Sequence, residues 1–266
     1  MFDAHCHLDF EAFDADRDAV LLDAQSVGMS GLIIAGYDRE RRALARSLAE
    51  RAGIWATAGL HPWALLGKDD AWLERELEAL HGDLLAGGFC GLGELGLDFY
   101  RATEPADRAF QQKAFVGQLA IARELDLPLV IHAVKCHNSL YEILRQEGVP
   151  KSGGMMHGYS GSARQIGNFL MLNLDISIGT PATYPDAHKL RDVILATPGD
   201  RLLVETDAPD RAPHPDRHLR NTPALLALVI AAVAKARGCK PDEIARQCER
   251  NTRRRFQLGD ERLSVA

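Results

Sequence analysis

The sequence predicts an α/β protein of the (β/α)8, or TIM, barrel class. Short apolar runs alternate with longer amphipathic runs along the whole chain, as expected where parallel strands are covered by helices. Eight of the short runs can be counted, and several are bounded by Gly or Pro. Most of the runs also end at or just before a histidine or an acid.

In chain order the expected strands are 1–5, 31–35, 54–60, 89–94, 129–132, 154–157, 174–178 and 202–206. Each is four to seven residues of mostly apolar sequence, too short for a helix of ordinary length. Segments with a 3.6-residue period follow at 16–26, 39–51, 72–85, 107–124, 138–146, 163–170, 186–196 and 222–237, and each reads as the helix after its strand. Thr222-Pro223 reads as an N-cap followed by proline at the first helical position. A last helix over 241–256 is expected to pack back on the barrel. The proline-rich stretch 209–223 reads as a long loop after the eighth strand.

At 266 residues the chain fits one barrel domain, expected over 1–258, with a loose tail over 259–266. Hydrophobic residues at 46% and charged residues at 26% match a globular protein with a large core. A net charge of -6 speaks against broad binding to duplex phosphate backbones, which needs a summed positive field. Met1-Phe2-Asp3-Ala4 shows no leader pattern, and no apolar stretch reaches the roughly 18 residues a membrane span needs, so a cytoplasmic protein with no membrane partner is expected. Nothing in the sequence implies an obligate protein partner. Cys6, Cys90, Cys136, Cys239 and Cys248 form no Cys-X-X-Cys pair and read as reduced, mostly buried thiols.

The ends of the expected strands carry the chemistry. His5 and His7 close the first, His61 follows the third, Glu94 ends the fourth, His132 the fifth, His157 the sixth, and Asp207 follows the eighth. In a barrel these ends converge on one mouth. Two residues apart on a strand, His5 and His7 face the same side and can address one ion, although alone the pair reads equally as a polar strand end. Cys6 between them is expected to point away. Glu94, flanked by glycines at the exit of an apolar strand, is a carboxylate able to bridge two cations; its other reading is a salt bridge in the barrel mouth. His132 and His157 on neighbouring strands suit a second cation that shares Glu94. Asp207 reads as metal ligand and general base. Glu205, two residues earlier, reads either as a catalytic-site residue that hydrogen-bonds a ligand histidine or the substrate, or as an ion-pair partner in the barrel core. His81 and His188 read as solvated helix residues, while His137, His214 and His218 lie near mouth loops.

Asp3-Ala4-His5-Cys6-His7, Gly59-Leu60-His61-Pro62, Gly93-Glu94-Leu95-Gly96-Leu97-Asp98, Ile131-His132, His157-Gly158-Tyr159-Ser160-Gly161 and Glu205-Thr206-Asp207-Ala208-Pro209 together resemble the TatD-type metal-dependent deoxyribonucleases from Asp3 to about Phe256. The runs 157–162 and 179–185 look most similar to the YjjV-like branch of that family. The resemblance implies an amidohydrolase-like barrel holding two divalent cations. His5, His7, Glu94 and Asp207 would hold one, and Glu94, His132 and His157 the other. It also implies phosphodiester hydrolysis, with 3′-to-5′ exonuclease action in several members. Two departures bear on substrate recognition: Val134 stands where many members carry arginine, and Asp210-Arg211 follow Asp-Ala-Pro where many have an aromatic residue.

The expected chemistry is attack by water activated between two cations, with Asp207 orienting or deprotonating it and His61 bonding a phosphate or leaving oxygen. Backbone N–H groups of Ser160, Gly161 and Ser162 are candidate anion donors. Lys135, Arg164, Arg211 and Arg220 are candidate basic contacts for the ends or single strands of a nucleic acid. Mixed N/O ligation suits Mg, Mn, Zn, Fe or Ni. Two other functions fit the sequence: a related amidohydrolase cleaving an ester or amide, such as an acyl group on a nucleotide or tRNA end, and a non-catalytic metal-binding regulatory protein.

Overall fold

A computed structural model describes residues 1–264 of the chain. Eight parallel strands run β1 (Phe2–Cys6), β2 (Gly31–Ile34), β3 (Ile54–Ala56), β4 (Leu92–Asp98), β5 (Leu129–Val134), β6 (Gly154–Met156), β7 (Leu174–Ile178) and β8 (Leu202–Val204). Each pairs with the next in sequence in two ladders, β1 to β3 and β4 to β8. A bridge between Ala58 and Leu92 joins the ladders. Beyond the end of β8, Asp207 N–H donates to His5 O and His7 N–H to Ala208 O at 3.0 and 2.7 Å, which brings the last strand back to the first and closes the barrel. Eight helices fill the connections: α1 (Arg17–Ser26), α2 (Arg39–Leu48), α3 (Asp70–Leu85), α4 (Pro105–Leu125), α5 (His137–Glu147), α6 (Ile166–Met171), α7 (His188–Ala196) and α8 (Leu226–Arg237). A ninth, α9 (Pro241–Phe256), lies under the barrel.

The helix boundaries follow local chemistry. Asp38 and Asp69 each accept the backbone N–H three residues on, from Arg41 and Trp72, and start α2 and α3. Pro105 and Pro241 occupy first-turn positions, and Gly238 ends α8 in the left-handed conformation. The helix expected from Thr222 begins instead as a 3-10 turn, Pro223–Leu225, and the Thr222 side chain makes no capping bond.

Period-two alternation divides the buried residues between two layers. Ile33, Val130, Met155 and Leu203 point inward and pack with Phe2, Ala4 and Phe256 of α9 into a plug inside the barrel. Their sequence neighbours Leu32, Ile34, Leu129, Ile131, Met156, Leu202 and Val204 point outward into the core beneath the helices. The residues two positions beyond the plug, His132, His157 and Glu205, therefore return to the barrel interior one layer nearer the mouth.

Two interruptions of this alternation set the site. In β4, Leu92, Leu95 and Leu97 all lie in the outer core. A spacing of three and then two cannot occur in a regular strand, and the register to β5 slips between Gly93 and Leu95. One extra residue sits in the strand as a bulge, and it turns Glu94 inward. The strand expected to end at Glu94 therefore continues to Asp98, because Leu95 and Leu97 still pair with Ile131 and Ala133. In β1, inward Ala4 gives way to outward Cys6 and Leu8, with a register slip between Asp3 and Cys6, so His5 and His7 share the inner face. Cys6 points away from them and its thiol donates to Ile33 O at 3.7 Å.

Gly36 and Gly59 let this bulge sit close to β2 and β3. A Cβ on Gly36 would lie 2.5 Å from Gly93 O, and one on Gly59 would lie 2.6 Å from Gly93 carbonyl carbon. The tail is not loose over its described part. Leu263 is buried, and its N–H donates to Ser30 O at 2.9 Å, because an apolar side chain finds a place beside β2 and Gly53. Residues 265 and 266 lie outside the described residues. No helix among the described residues is long and apolar enough to cross a membrane.

Candidate metal centre

Six residues expected to act together meet at the mouth around Glu94. Its Oε2 is 3.3 Å from Nε2 of both His5 and His7, and these two nitrogens are 3.3 Å from each other. Asp207 Oδ1 completes the group at 3.5 and 3.7 Å from the same nitrogens. Four donors held about 2.1 Å from one ion in a tetrahedron would be about 3.4 Å apart, close to the 3.3 to 3.7 Å that separates each of the two histidine nitrogens from the other and from both carboxylate oxygens. Glu94 Oε2 is buried and accepts no hydrogen bond, an arrangement costly for a carboxylate and relieved by a cation. These residues fit a divalent metal.

The other oxygen faces a second group. Glu94 Oε1 lies 2.6 Å from His132 Nδ1 and 2.9 Å from His157 Nε2, and the two nitrogens are 3.2 Å apart. The rings of His5 and His157 stack with centroids 4.0 Å apart, so the two groups share a wall.

Partners behind the histidines decide which nitrogen faces the site. Glu205 Oε1 lies 3.1 Å from His157 Nδ1 and accepts the Gly158 N–H, while Oε2 accepts the Ser177 hydroxyl at 2.5 Å. His157 Nδ1 therefore carries the proton and Nε2 presents its lone pair to the centre. Glu205 thus accepts from three donors and stands as hydrogen-bond partner to a histidine, while its carboxylate also lies close enough to His5 and His157 to join them around an ion. Asp98 Oδ2 lies 3.4 Å from His132 Nε2 and accepts from Trp63 Nε1 at 2.6 Å. Its Oδ1 accepts the N–H groups of Tyr100 and Arg101. No role for Asp98, Trp63 or Tyr37 was read from the sequence. The signal for Asp98 was the alternation of Leu95 and Leu97, which carries β4 past Glu94 to the mouth; the two aromatic residues gave none.

His61 differs from the other four histidines. Its Nδ1 accepts the Trp63 N–H at 3.0 Å, so in the neutral ring the proton sits on Nε2, which points at Glu94 Oε1 from 3.2 Å. Burial holds its pKa down to about 4, so the ring stays a neutral donor. Elsewhere in the centre, burial opposes charge but mutual attraction overrides it. Glu94 is held well below the carboxylate range by His157, His61 and His5, and Asp207 is lowered by its contact with His5. For His5, burial and His157 act downward, but Glu94 and Asp207 outweigh them and raise it to about 9. The carboxylates thus call for positive charge, which protonated histidines or a cation can provide. With a cation bound, the histidines serve as neutral ligands.

A cavity of about 50 Å³ opens over this centre, rimmed by Phe10, Tyr37, Trp63 and Arg211. Of the candidate substrate contacts, Arg211 reaches the centre, with its Nε 3.8 Å from Asp207 Oδ2. Ser160 and Gly161 line a larger neighbouring pocket. Ser162 offers no anion donor, since its N–H is bonded to Gln165 Oε1 at the start of a 3-10 turn. Lys135 lies over the Tyr100 ring, and Arg220 is taken up by a two-point pair with Asp16 at 2.9 and 2.6 Å. Arg164 is exposed. His137 packs against Tyr159 and Phe169 instead of opening to the mouth, His214 and His218 are exposed, and His81 pairs with Glu124.

The profile of the family described as TatD related DNase matches residues 2–257. An uncharacterized metal-dependent hydrolase, YabD of Bacillus subtilis, is 34% identical over 262 residues, covering 97% of this chain and 99% of its own. A 3′-5′ ssDNA/RNA exonuclease, TatD of a Rahnella species, is 32% identical over 269 residues, covering 98% and 100%. The crystal structure of the Escherichia coli TatD homologue YjjV superposes with a TM-score of 0.88 at 34% identity, covering 97% of this chain and 98% of that one. Fold, clustered ligands and whole-length similarity agree: the chain belongs to the TatD-related DNase family and is a metal-dependent hydrolase with a (β/α)8 barrel.

Proposed function

We propose that the chain is a phosphodiesterase that removes nucleotides from the 3′ end of single-stranded nucleic acid, using two divalent cations that Glu94 and the donors around it would hold. The observation that carries this reading is the Glu94 carboxylate with one oxygen in each donor group. His5, His7 and Asp207 would complete one ion's shell and His132 and His157 the other's, with Mg, Mn, Zn, Fe or Ni compatible with such ligands. When bound, the cations supply the Lewis acidity that makes water a nucleophile at neutral pH and offsets charge at phosphorus.

The chain's own residues supply the rest. Asp207, ionised at the mouth, takes a proton from the attacking water. The new P–O bond forms as the bond to the O3′ of the shortened chain breaks. His61, a neutral ring whose Nε2–H faces the cavity, hydrogen-bonds that oxygen as charge develops on it, and the oxygen takes its proton from solvent water. Glu205 and Asp98 hold His157 and His132 in the required orientation. Phe10, Tyr37 and Trp63 narrow the cavity and keep bulk water from it. The relative named as an ssDNA/RNA exonuclease supports the substrate class.

The test is turnover of the metal-reconstituted protein on 3′-labelled single-stranded DNA, duplex DNA, RNA and a panel of neutral esters. Stepwise loss of label from single strands is expected. Hydrolysis of the neutral esters alone would refute the nuclease reading and favour an esterase or deacylase.

A further inference from the structure

The cavity over the metal centre has room for a phosphoryl group and a few waters but not for the nucleoside attached to it. A second pocket of about 280 Å³ adjoins it, between the loop after β6 and the loop that leads from β7 into α7. Its size is near the lower end, about 300 Å³, of small-molecule sites. Arg211 lines both spaces, so its guanidinium stands at the doorway between them.

The walls suit a flat, largely apolar group. Tyr159, Pro181, Tyr184 and Leu190 face the pocket. The Tyr184 ring is held by two contacts: its hydroxyl donates to Ala212 O at 3.1 Å, and the Arg217 guanidinium lies over the ring 3.5 Å from its centroid. Lys189 closes the far side by donating to Ser160 O at 3.0 Å, which ties α7 to the loop after β6. Positive charge at the doorway and an aromatic interior match a phosphate followed by a base.

Resting on the phosphodiesterase reading above, we infer that this pocket seats the base of the terminal nucleotide while its 5′-phosphate lies at the metal centre. A base in the pocket cannot be paired or stacked within a duplex, so an unpaired end is required. Release of one nucleoside 5′-monophosphate per turnover follows from the same placement.

The test compares equilibrium binding of thymidine 5′-monophosphate and of deoxyribose 5-phosphate to the metal-loaded protein, which separates the base from the sugar phosphate. Wild type is expected to prefer the nucleotide by about tenfold or more, since stacking on an aromatic wall is worth that much. Ala187→Trp, which fills the pocket from the half-exposed loop, and Tyr184→Leu, which removes the aromatic wall, should each reduce the preference to about twofold. A preference absent in wild type, or unchanged in both variants, overturns the inference. Labelled single-stranded DNA run with the same wild-type sample separates the two levels: failure to shorten it removes the nuclease reading, whereas shortening with an unchanged preference removes only the pocket.

Discussion

At Glu94 a single side chain faces five histidine nitrogens within 3.3 Å, those of His5 and His7 on Oε2 and those of His61, His132 and His157 on Oε1, so its loss is expected to empty both proposed metal positions. Glu94→Ala should bind neither ion, as read by metal analysis after dialysis. Glu205→Gln and Asp98→Asn leave every proposed ligand in place but weaken the hold on His157 and His132. Each should lower metal affinity by about 10- to 100-fold, measured by competition with a chromophoric chelator. Equal affinity in both variants and wild type would show that these carboxylates do not orient the histidines. That His5, His7, His132, His157 and Asp207 meet at one mouth could be anticipated from the sequence, because each lies at or just past the end of an apolar run that reads as a barrel strand. Trp63 and Tyr37 were not legible there, because their contacts join residues dozens of positions apart and no local pattern records them, while Asp98 was marked only by the alternation of Leu95 and Leu97.

Among the elements, β4 departs furthest from its expected form. The sequence reads as a strand that ends at Glu94, a carboxylate flanked by glycines, whereas the bulge lets the strand carry a buried acid and continue four residues to Asp98. Period-two reasoning has no place for an extra residue, so the bulge was invisible until the ladder to β5 was known. Gly36 supports it by accepting the Glu94 N–H at 2.7 Å and leaving room for Gly93. Gly36→Ala should destabilise the protein by about 1–3 kcal/mol through overpacking, measured by urea unfolding, and lower metal affinity with it. A second element contact closes the opposite end of the barrel. Asp175 of β7, fully buried, accepts two bonds from Arg255 of α9 at 2.9 and 2.8 Å and also meets Arg201 and Arg254. Removing the acid strands a buried guanidinium. Asp175→Ala is expected to cost about 3–5 kcal/mol in unfolding free energy without changing the metal ligands.

Across the whole molecule, the (β/α)8 order could be read from the alternation of short and long segments, since each strand pairs with the next and needs no long-range choice of partner. The docked tail could not, because Leu263 is one apolar residue in a polar stretch and only the folded barrel offers it a site. Metal binding should act on global stability as well as on chemistry, since the ligands are assembled only in the folded state. A hundredfold excess of free metal over its dissociation constant adds about 2.7 kcal/mol. For a chain of this size that corresponds to a rise of about 5–10 °C in the melting midpoint, seen by calorimetry with metal against chelator. An unchanged midpoint would mean that the centre does not hold an ion.

The closure between the end of β8 and the end of β1 also sets an order of events. Asp3 accepts the backbone N–H and hydroxyl of Thr206, 203 residues away, and the neighbouring residues Asp207 and His5 are proposed to share one ion. The first and last strands must both exist before that ion has its full shell. On a ribosome, His5 and His7 emerge long before Asp207, so the growing chain can hold only a partial set of ligands. On the proposed assignment that ion's full set of ligands exists only once the ring has shut, so a chain released before β8 is expected to carry the early histidines without the site they later serve.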